Sequence, residues 1–322
     1  MATSLAPIVL FVYNRPSHTQ RTLEALAINT LAEKSELYIY ADGMRSNASE
    51  QQKEQVMAVR QIIRQHQWCG KVHLIEQTEN KGLADSIANG VTEIVNRYGK
   101  VIVLEDDIVT SPQFLEYMNN ALVRYENDEK VMHVSGYMFP ITSDFGDKTN
   151  TFFSQLMMCW GWATWKRAWN FFSRNAADVN QKLIQSGKIQ VFDYDNSGVF
   201  YSQIQRNLEN SLKTWAIFWY ASIFLNDGLC LMPRISFVQN VGMDNSGENS
   251  EQTNIYYNMV LCHNPTIDML PLEKDEHMET KIQLFYKYYK NITILNHKKI
   301  VLKNKIKNIF FNIKQRILKL FK

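Results

Sequence analysis

Between residues 6 and 110, short apolar runs alternate with amphipathic stretches. Residues Ala6 to Tyr13 form an apolar run that predicts a buried strand. Ser17 to Asn29 reads as a helix with Leu23, Leu26 and Ala27 on one face. Glu36 to Ala41 predicts a second strand, stopped by Asp42-Gly43. Residues 49–67 carry Val56, Val59, Ile62 and Ile63 at helical spacing, and Lys71 to Ile75 predicts a third strand. A helix from about Gly82 to Tyr98 precedes a fourth strand, Val101 to Leu104. Strands separated by helices predict a mostly parallel α/β sheet flanked by helices.

The second half is less regular. Val131 to Ser135 reads as a strand, and Trp160 to Trp165 is dense in aromatics, with Trp169 close behind. Ser211 to Leu225 reads as an apolar helix stopped by Asn226-Asp227-Gly228, and Cys230 to Val238 as extended chain. Asn240 to Glu251 is polar and glycine-bearing, a mobile loop by composition. No internal repeat is present, and nothing near residue 130 has linker composition. The expected organisation is one continuous domain with lobes 1–130 and 131–265, a helical connector 266–296 and a tail 297–322.

The predicted strands of the first half end in polar residues: Asn14-Arg15, Asp42-Gly43, the region of Asn80-Lys81-Gly82, and Glu105-Asp106-Asp107. Ligands of open α/β sheets bind at such carboxyl ends. Three adjacent carboxylates repel one another unless water or a cation compensates them. The triplet is therefore either a divalent-metal site carrying a diphosphate or a solvated turn before the helix that starts near Ser111-Pro112.

Composition narrows the classes. The chain has 322 residues, is 45% hydrophobic and 21% charged, and suits a globular protein. No leader pattern opens it and no uncharged apolar run is long enough to span a membrane. The four cysteines form no CxxC pair, which fits a reducing compartment and argues against a zinc site. Residues 297–322 hold nine Lys/Arg and no Asp or Glu, so the remainder carries a net charge of −6, and no nucleic-acid partner is expected. In that tail Leu302, Ile306, Ile309, Ile313, Ile317 and Leu320 make one helical stripe among cations. A basic amphipathic helix of this kind predicts a peripheral anchor on an anionic membrane face, the alternative being docking on protein.

Phe11-Val12-Tyr13-Asn14-Arg15-Pro16, Asp42-Gly43, Asn80-Lys81-Gly82-Leu83, Glu105-Asp106-Asp107 and Trp160-Gly161-Trp162 stand in an order that resembles GT-A glycosyltransferases. The likeness is to bacterial family-2-like sugar transferases and the N-acetylglucosaminyltransferase I family, and it covers roughly residues 6–250. It implies the GT-A (nucleotide-diphospho-sugar transferase) fold and a donor that is a nucleotide-diphospho-sugar, UDP-linked, held through Mn2+ or Mg2+. It also implies roles for single residues. Arg15 would lie against the base, Asp42 on base or ribose, and Asn80, Lys81, Gly82 and Leu83 beside the nucleotide. Glu105 would face the donor sugar, Asp106 the ribose or sugar, and Asp107 the metal. Gly161 and Trp162 would line the sugar pocket, and Asn240–Ser250 would order over the donor.

One feature departs from the family. An inverting transferase needs a base for the acceptor hydroxyl, and the family places an Asp just after a Trp. Here Trp215-Ala216-Ile217-Phe218-Trp219 has none. Asp195, Asp193 and Asp244 are the remaining candidates, with Asp195 favoured for its aromatic neighbours. The resulting expectation is a hexosyl- or N-acetylhexosaminyltransferase of polysaccharide biosynthesis on the cytoplasmic face of the cell membrane. Its acceptor would be a glycan or polyprenyl-linked saccharide. A catalytically degenerate sugar-nucleotide-binding subunit is the alternative, and a sugar-nucleotidyltransferase is the enzyme rival. The latter needs a Gly-rich loop that Asn14-Arg15-Pro16 lacks.

Overall fold

Ile8–Val12 (β1) is buried at every position because both faces of its sheet are covered by helices. The computed structural model describes residues 4–141, 149–244, 246 and 259–287. After β1 come α1 (Pro16–Ala27), β2 (Glu36–Ala41), α2 (Glu50–Gln65), β3 (Lys71–Glu76), α3 (Leu83–Tyr98) and β4 (Lys100–Glu105). A short strand β5 (Ile108–Thr110) and α4 (Phe114–Arg124) close the first lobe.

Local chemistry sets the boundaries. Pro16 opens α1, where its missing N–H costs nothing. Ser49 and Gln52 form a reciprocal capping box at the start of α2. Gly82 enters α3 at φ 77°, ψ 154°, a region open only to glycine, and Gly99 ends that helix in the left-handed region. The helix buries Ile87, Val91, Ile94 and Val95 against the sheet.

The second lobe adds β6 (Val131–Ser135), β7 (Thr151–Ser154), β8 (Trp162–Trp165), α5 (Lys166–Trp169), α6 (Ala176–Ser186) and α7 (Ile189–Phe192). It continues with α8 (Tyr201–Leu208), α9 (Ala216–Leu225), β9 (Leu229–Pro233) and β10 (Val238–Asn240). One sheet of eight strands runs through both lobes in the order β3-β2-β1-β4-β8-β6-β9-β7. The pairs β3–β2, β2–β1, β1–β4 and β6–β9 are parallel; β4–β8, β8–β6 and β9–β7 are antiparallel. The α/β class with a mostly parallel, helix-flanked sheet is thus the one expected. β5 and β10 form a separate antiparallel ribbon.

Several boundaries shift from the sequence reading. The helix expected from Ser211 begins at Ala216, because Thr214 is tied to Asn207 through both backbone and side chain. The extended stretch after Cys230 splits into β9 and β10. The chain at 276–287 is helical, and Glu279 anchors it. Its buried carboxylate accepts from Ser154 Oγ (2.7 Å), Gln155 N (3.0 Å) and Tyr194 Oη (2.6 Å). The tail 297–322 and part of the expected lid, residues 245 and 247–250, lie outside the described residues. Among the described residues no helix is long and apolar enough to cross a membrane.

Candidate active site

Strand β1 has β2 on one side and β4 on the other, and the chain leaves β2 and β4 by helices or turns on opposite sides of it. The carboxyl ends of β1 and β4 therefore meet at the point where the strand order reverses, the place where open α/β sheets bind ligands. A cavity of about 250 Å3 opens there. Asn14 and Arg15 from β1, Asp42 from β2, Asn80 and Gly82 from the loop before α3, and Glu105 and Asp106 from β4 all line it. Five sequence motifs were expected at one site; the first four converge.

Asp42 builds the floor. Its Oδ1 accepts from the N–H groups of Gly43 (2.8 Å) and Lys81 (2.8 Å), and its Oδ2 from Asn80 Nδ2 (3.0 Å) and Gly82 N (2.9 Å). Asn80 Nδ2 also reaches Gly43 O at 3.0 Å. Gly43 lies so close to the Glu79 backbone that a Cβ would come within 2.2 Å of its carbonyl carbon. Asp42, expected to touch base or ribose, thus has four protein donors and holds the 80–82 loop in place. Lys81 turns its side chain to solvent.

The acidic wall follows β4. The Arg15 guanidinium contacts both oxygens of Asp106, one of them through Nε at 3.3 Å, and lies 3.0 Å from Asp107 Oδ2. Burial opposes the Arg15 charge, but Asp106 and Asp107 outweigh it and raise the pKa above its ordinary value. Burial raises the pKa of Asp106 in spite of that pairing. The Glu105 carboxylate makes no hydrogen bond or ion pair among the described residues, and burial with Asp107 and Asp106 nearby pushes it up to about 8. Two of these three carboxylates share one guanidinium, and the third has no such partner. Arg15 was expected against the base; its guanidinium instead belongs to the acidic side.

The ribbon of β5 and β10 carries the second lobe across this wall. Val241 N donates to Asp107 O at 2.9 Å. An added Cβ at Gly242 would stand 2.2 Å from Asp107 Oδ2 and 2.8 Å from Arg15 Nη1. Just beyond, Asp244 Oδ2 lies 3.2 Å from His18 Nε2, and Ser246 lines the cavity. Partial desolvation opposes the charge of the exposed Asp244, but hydrogen bonds from Ser246 and the charge of His18 lower its pKa.

Trp162, Asp195 and Asp193, all expected at the site, do not line the cavity. Trp162 is fully buried, stacked at 5.2 Å on Trp215 and 5.4 Å on His133, so it is core and not pocket wall. Its neighbour Cys159 does face the triplet. Burial together with Glu105 and Asp107 raises that thiol's pKa. Asp195 is exposed at φ 58° and accepts from Gln190 Nε2 at 2.8 Å; it does not line the cavity. Asp193 caps the turn into α8, accepting from the N–H groups of Gly198, Phe200 and Tyr201. Ala216, Ile217 and Phe218 open α9, with the latter two in the core.

Other cavity residues had no role assigned from the sequence, among them Arg45 and Gln52. Tyr13 Oη and Ser86 Oγ are buried without a hydrogen-bond partner among the described residues, while Phe11 and Tyr40 stack at 5.4 Å along the wall. Tyr13 stood inside a motif already singled out; Ser86, on the first turn of α3, carried no signal of its own. Orphaned buried hydroxyls facing a cavity invite a polar ligand.

A Nucleotidyl transferase family model matches residues 38–141, about a third of the chain and most of the cavity floor. No curated protein sequence matches significantly. Among solved structures, the chain is similar to GalNAc-T7 with UDP, GalNAc and Mn2+, at 13% identity and a TM-score of 0.43, over 71% of this chain and 42% of that one. The mannosyltransferase PcManGT from Pyrobaculum calidifontis, in complex with GDP-Man and Mn2+, gives 19% identity, a TM-score of 0.29 and coverages of 41% and 36%. A cytidylyltransferase from Leptospira borgpetersenii serovar Hardjo-bovis gives 9%, 0.28, 41% and 54%. The chain spans about half or less of the length of these proteins. Glycosyl and nucleotidyl transferases both stand among them, and the comparisons do not separate the two.

Proposed function

We propose that the chain is a glycosyltransferase that moves a sugar from a UDP-sugar to a hydroxyl of a glycan or lipid-linked saccharide, with inversion and with a divalent cation. The observation that supports it most is the cavity at the strand-order reversal, lined by the Tyr13 and Ser86 hydroxyls, which have no hydrogen-bond partner among the described residues, and by Glu105, Asp106 and Arg15, whose guanidinium also pairs with Asp107. Glycosyl transfer is favoured over nucleotidyl transfer by the loop after β1. Asn14-Arg15-Pro16 has no glycine to cradle a triphosphate, and Arg15 is engaged by Asp106 and Asp107.

The donor set fits a hard cation. Excess carboxylate charge on oxygen ligands suits Mg2+ or Mn2+. Among the described residues no group of three or more His, Cys, Asp or Glu could hold a metal by itself. Asp107 is therefore read as a single protein ligand, with donor phosphate oxygens completing the shell. Such a cation, when bound, supplies positive charge to the departing diphosphate. The chain's own residues do the rest. Asp42 fixes the loop that borders the nucleotide, and Tyr13 and Ser86 offer hydroxyls to it. Asp244, beside His18 at the cavity mouth, is better placed than Asp195 to take the acceptor proton.

Calorimetry of UDP with and without Mn2+, followed by product analysis with UDP-sugars, tests the reading. Asp107→Ala should abolish metal-dependent binding and transfer. Pyrophosphate release from a nucleoside triphosphate and a sugar phosphate would establish nucleotidyl transfer instead. The uncharged, buried start of α9 supports the second reading, a binding subunit without transfer. That reading gains if UDP binds and no acceptor preparation is glycosylated. The basic tail is assigned to the inner face of the membrane on its sequence pattern. Truncation after Asn296 should remove binding to anionic vesicles at low salt, and unchanged binding would sink that assignment.

A further inference from the structure

Asp107 is the residue assigned to the cation, yet its Oδ2 already has one, 3.0 Å away on Arg15. The same guanidinium spans both oxygens of Asp106. Gly242 closes the remaining side, with room for no side chain beyond hydrogen. Arg15 stands at the N-cap of α1, where Thr19 holds its carbonyl through both N–H and Oγ1 at 2.9 Å. Its backbone is thus fixed, while its long side chain can still change partner. Two cations held by one carboxylate repel each other in a partly buried site. A divalent ion bound at Asp107 therefore weakens the Arg15 pair at Oδ2 and favours its release. Asp106 alone then remains to Arg15, and its freed donors face the cavity where phosphate oxygens would lie. A guanidinium pairs with phosphate as readily as with carboxylate.

We propose that Arg15 is a resident counter-ion that keeps the acidic wall neutralised until donor arrives, and then transfers part of its hydrogen bonding to the donor diphosphate. The inference rests on the donor-site reading above and adds to it a coupling. Cation alone competes with Arg15 and binds weakly. Diphosphate draws Arg15 away and so strengthens cation binding; by reciprocity, the cation strengthens diphosphate binding. Each ligand alone meets a closed arrangement, and both together meet an open one.

The test is Mn2+ binding to the full chain, read from loss of the free-ion electron paramagnetic resonance signal, with and without saturating UDP. Wild type should bind Mn2+ about tenfold more tightly with UDP than without it. In Arg15→Ala, Mn2+ alone should bind about tenfold more tightly than to wild type, and the gain from UDP should shrink to the part that the diphosphate oxygens supply as direct ligands. Should that variant fail to fold, Arg15→Lys takes its place. A single ammonium cannot fork across both carboxylates, so Mn2+ alone should again bind more tightly than to wild type. If the folded variant shows wild-type Mn2+ affinity and keeps the full gain from UDP, the counter-ion role is overturned and the donor site stands. If wild type binds neither UDP nor Mn2+ in combination, the donor-site reading falls, and this inference with it.

Discussion

The two halves of the sheet solve different problems with the same kind of strand. In the first, four parallel strands end in polar residues, and those ends face a cavity. In the second, β8 opens on Trp162, whose ring packs 5.2 Å from Trp215 and 5.7 Å from Trp169, itself 4.9 Å from Trp219. Buried His133 sits in that cluster, with Nδ1 accepting from Trp219 Nε1 at 3.2 Å and Nε2 donating to Met158 O at 3.0 Å. Burial lowers its pKa to about 3, so it stays neutral and serves packing. The first half lines a cavity with polar groups; the second packs ring against ring, and the buried Trp162 Nε1 there has no hydrogen-bond partner among the described residues. Chemistry gathers where the sheet leaves charge uncompensated, and rigidity where it leaves none.

Substitutions on either side should break the molecule differently. Trp162→Ala removes a fully buried indole and should cost about 3–5 kcal/mol in urea unfolding, while the folded fraction keeps its UDP affinity. A matched loss of affinity would show that Trp162 reaches the donor after all. Asp42→Ala leaves three backbone N–H groups and Asn80 without their acceptor. It should lower stability by about 1–3 kcal/mol and, because the ligand must then order the 80–82 loop, weaken UDP binding about tenfold. Asp195→Asn, outside the cavity, should alter neither measurement; a loss of turnover there would restore Asp195 as the base.

A separate effect is in pH. Glu105 is raised from its ordinary 4.5 to about 8 in the folded chain, so the folded state holds that proton more tightly than the unfolded one. Stability without ligand should therefore fall as pH rises from about 4.5 to about 8 and level off above it. Glu105→Gln should flatten this part of the curve, seen as melting temperature against pH. An unchanged slope would mean that Glu105 is ionised in the resting site.

How much of this was legible follows the range of the interactions. β1, β2, β3 and β4 were readable because each is a continuous apolar run with a polar stop. β5 and β10 were not, since three residues carry no periodicity and their pairing is between distant parts of the chain. The Arg15 contacts with Asp106 and Asp107 were invisible for the same reason, although all three residues had been singled out. Trp162 was misplaced because an aromatic run looks alike whether it lines a pocket or fills a core.

Gly242 reaches Asp107 from more than a hundred residues further along the chain. On a ribosome this is a matter of time. At ordinary rates of synthesis, the acidic triplet emerges on the order of ten seconds before the glycine that covers it. During that interval Arg15, made before the carboxylates, is the partner at hand for them. The order of synthesis thus favours the arginine pairing as the first state of the wall, with the ribbon closing over it afterwards.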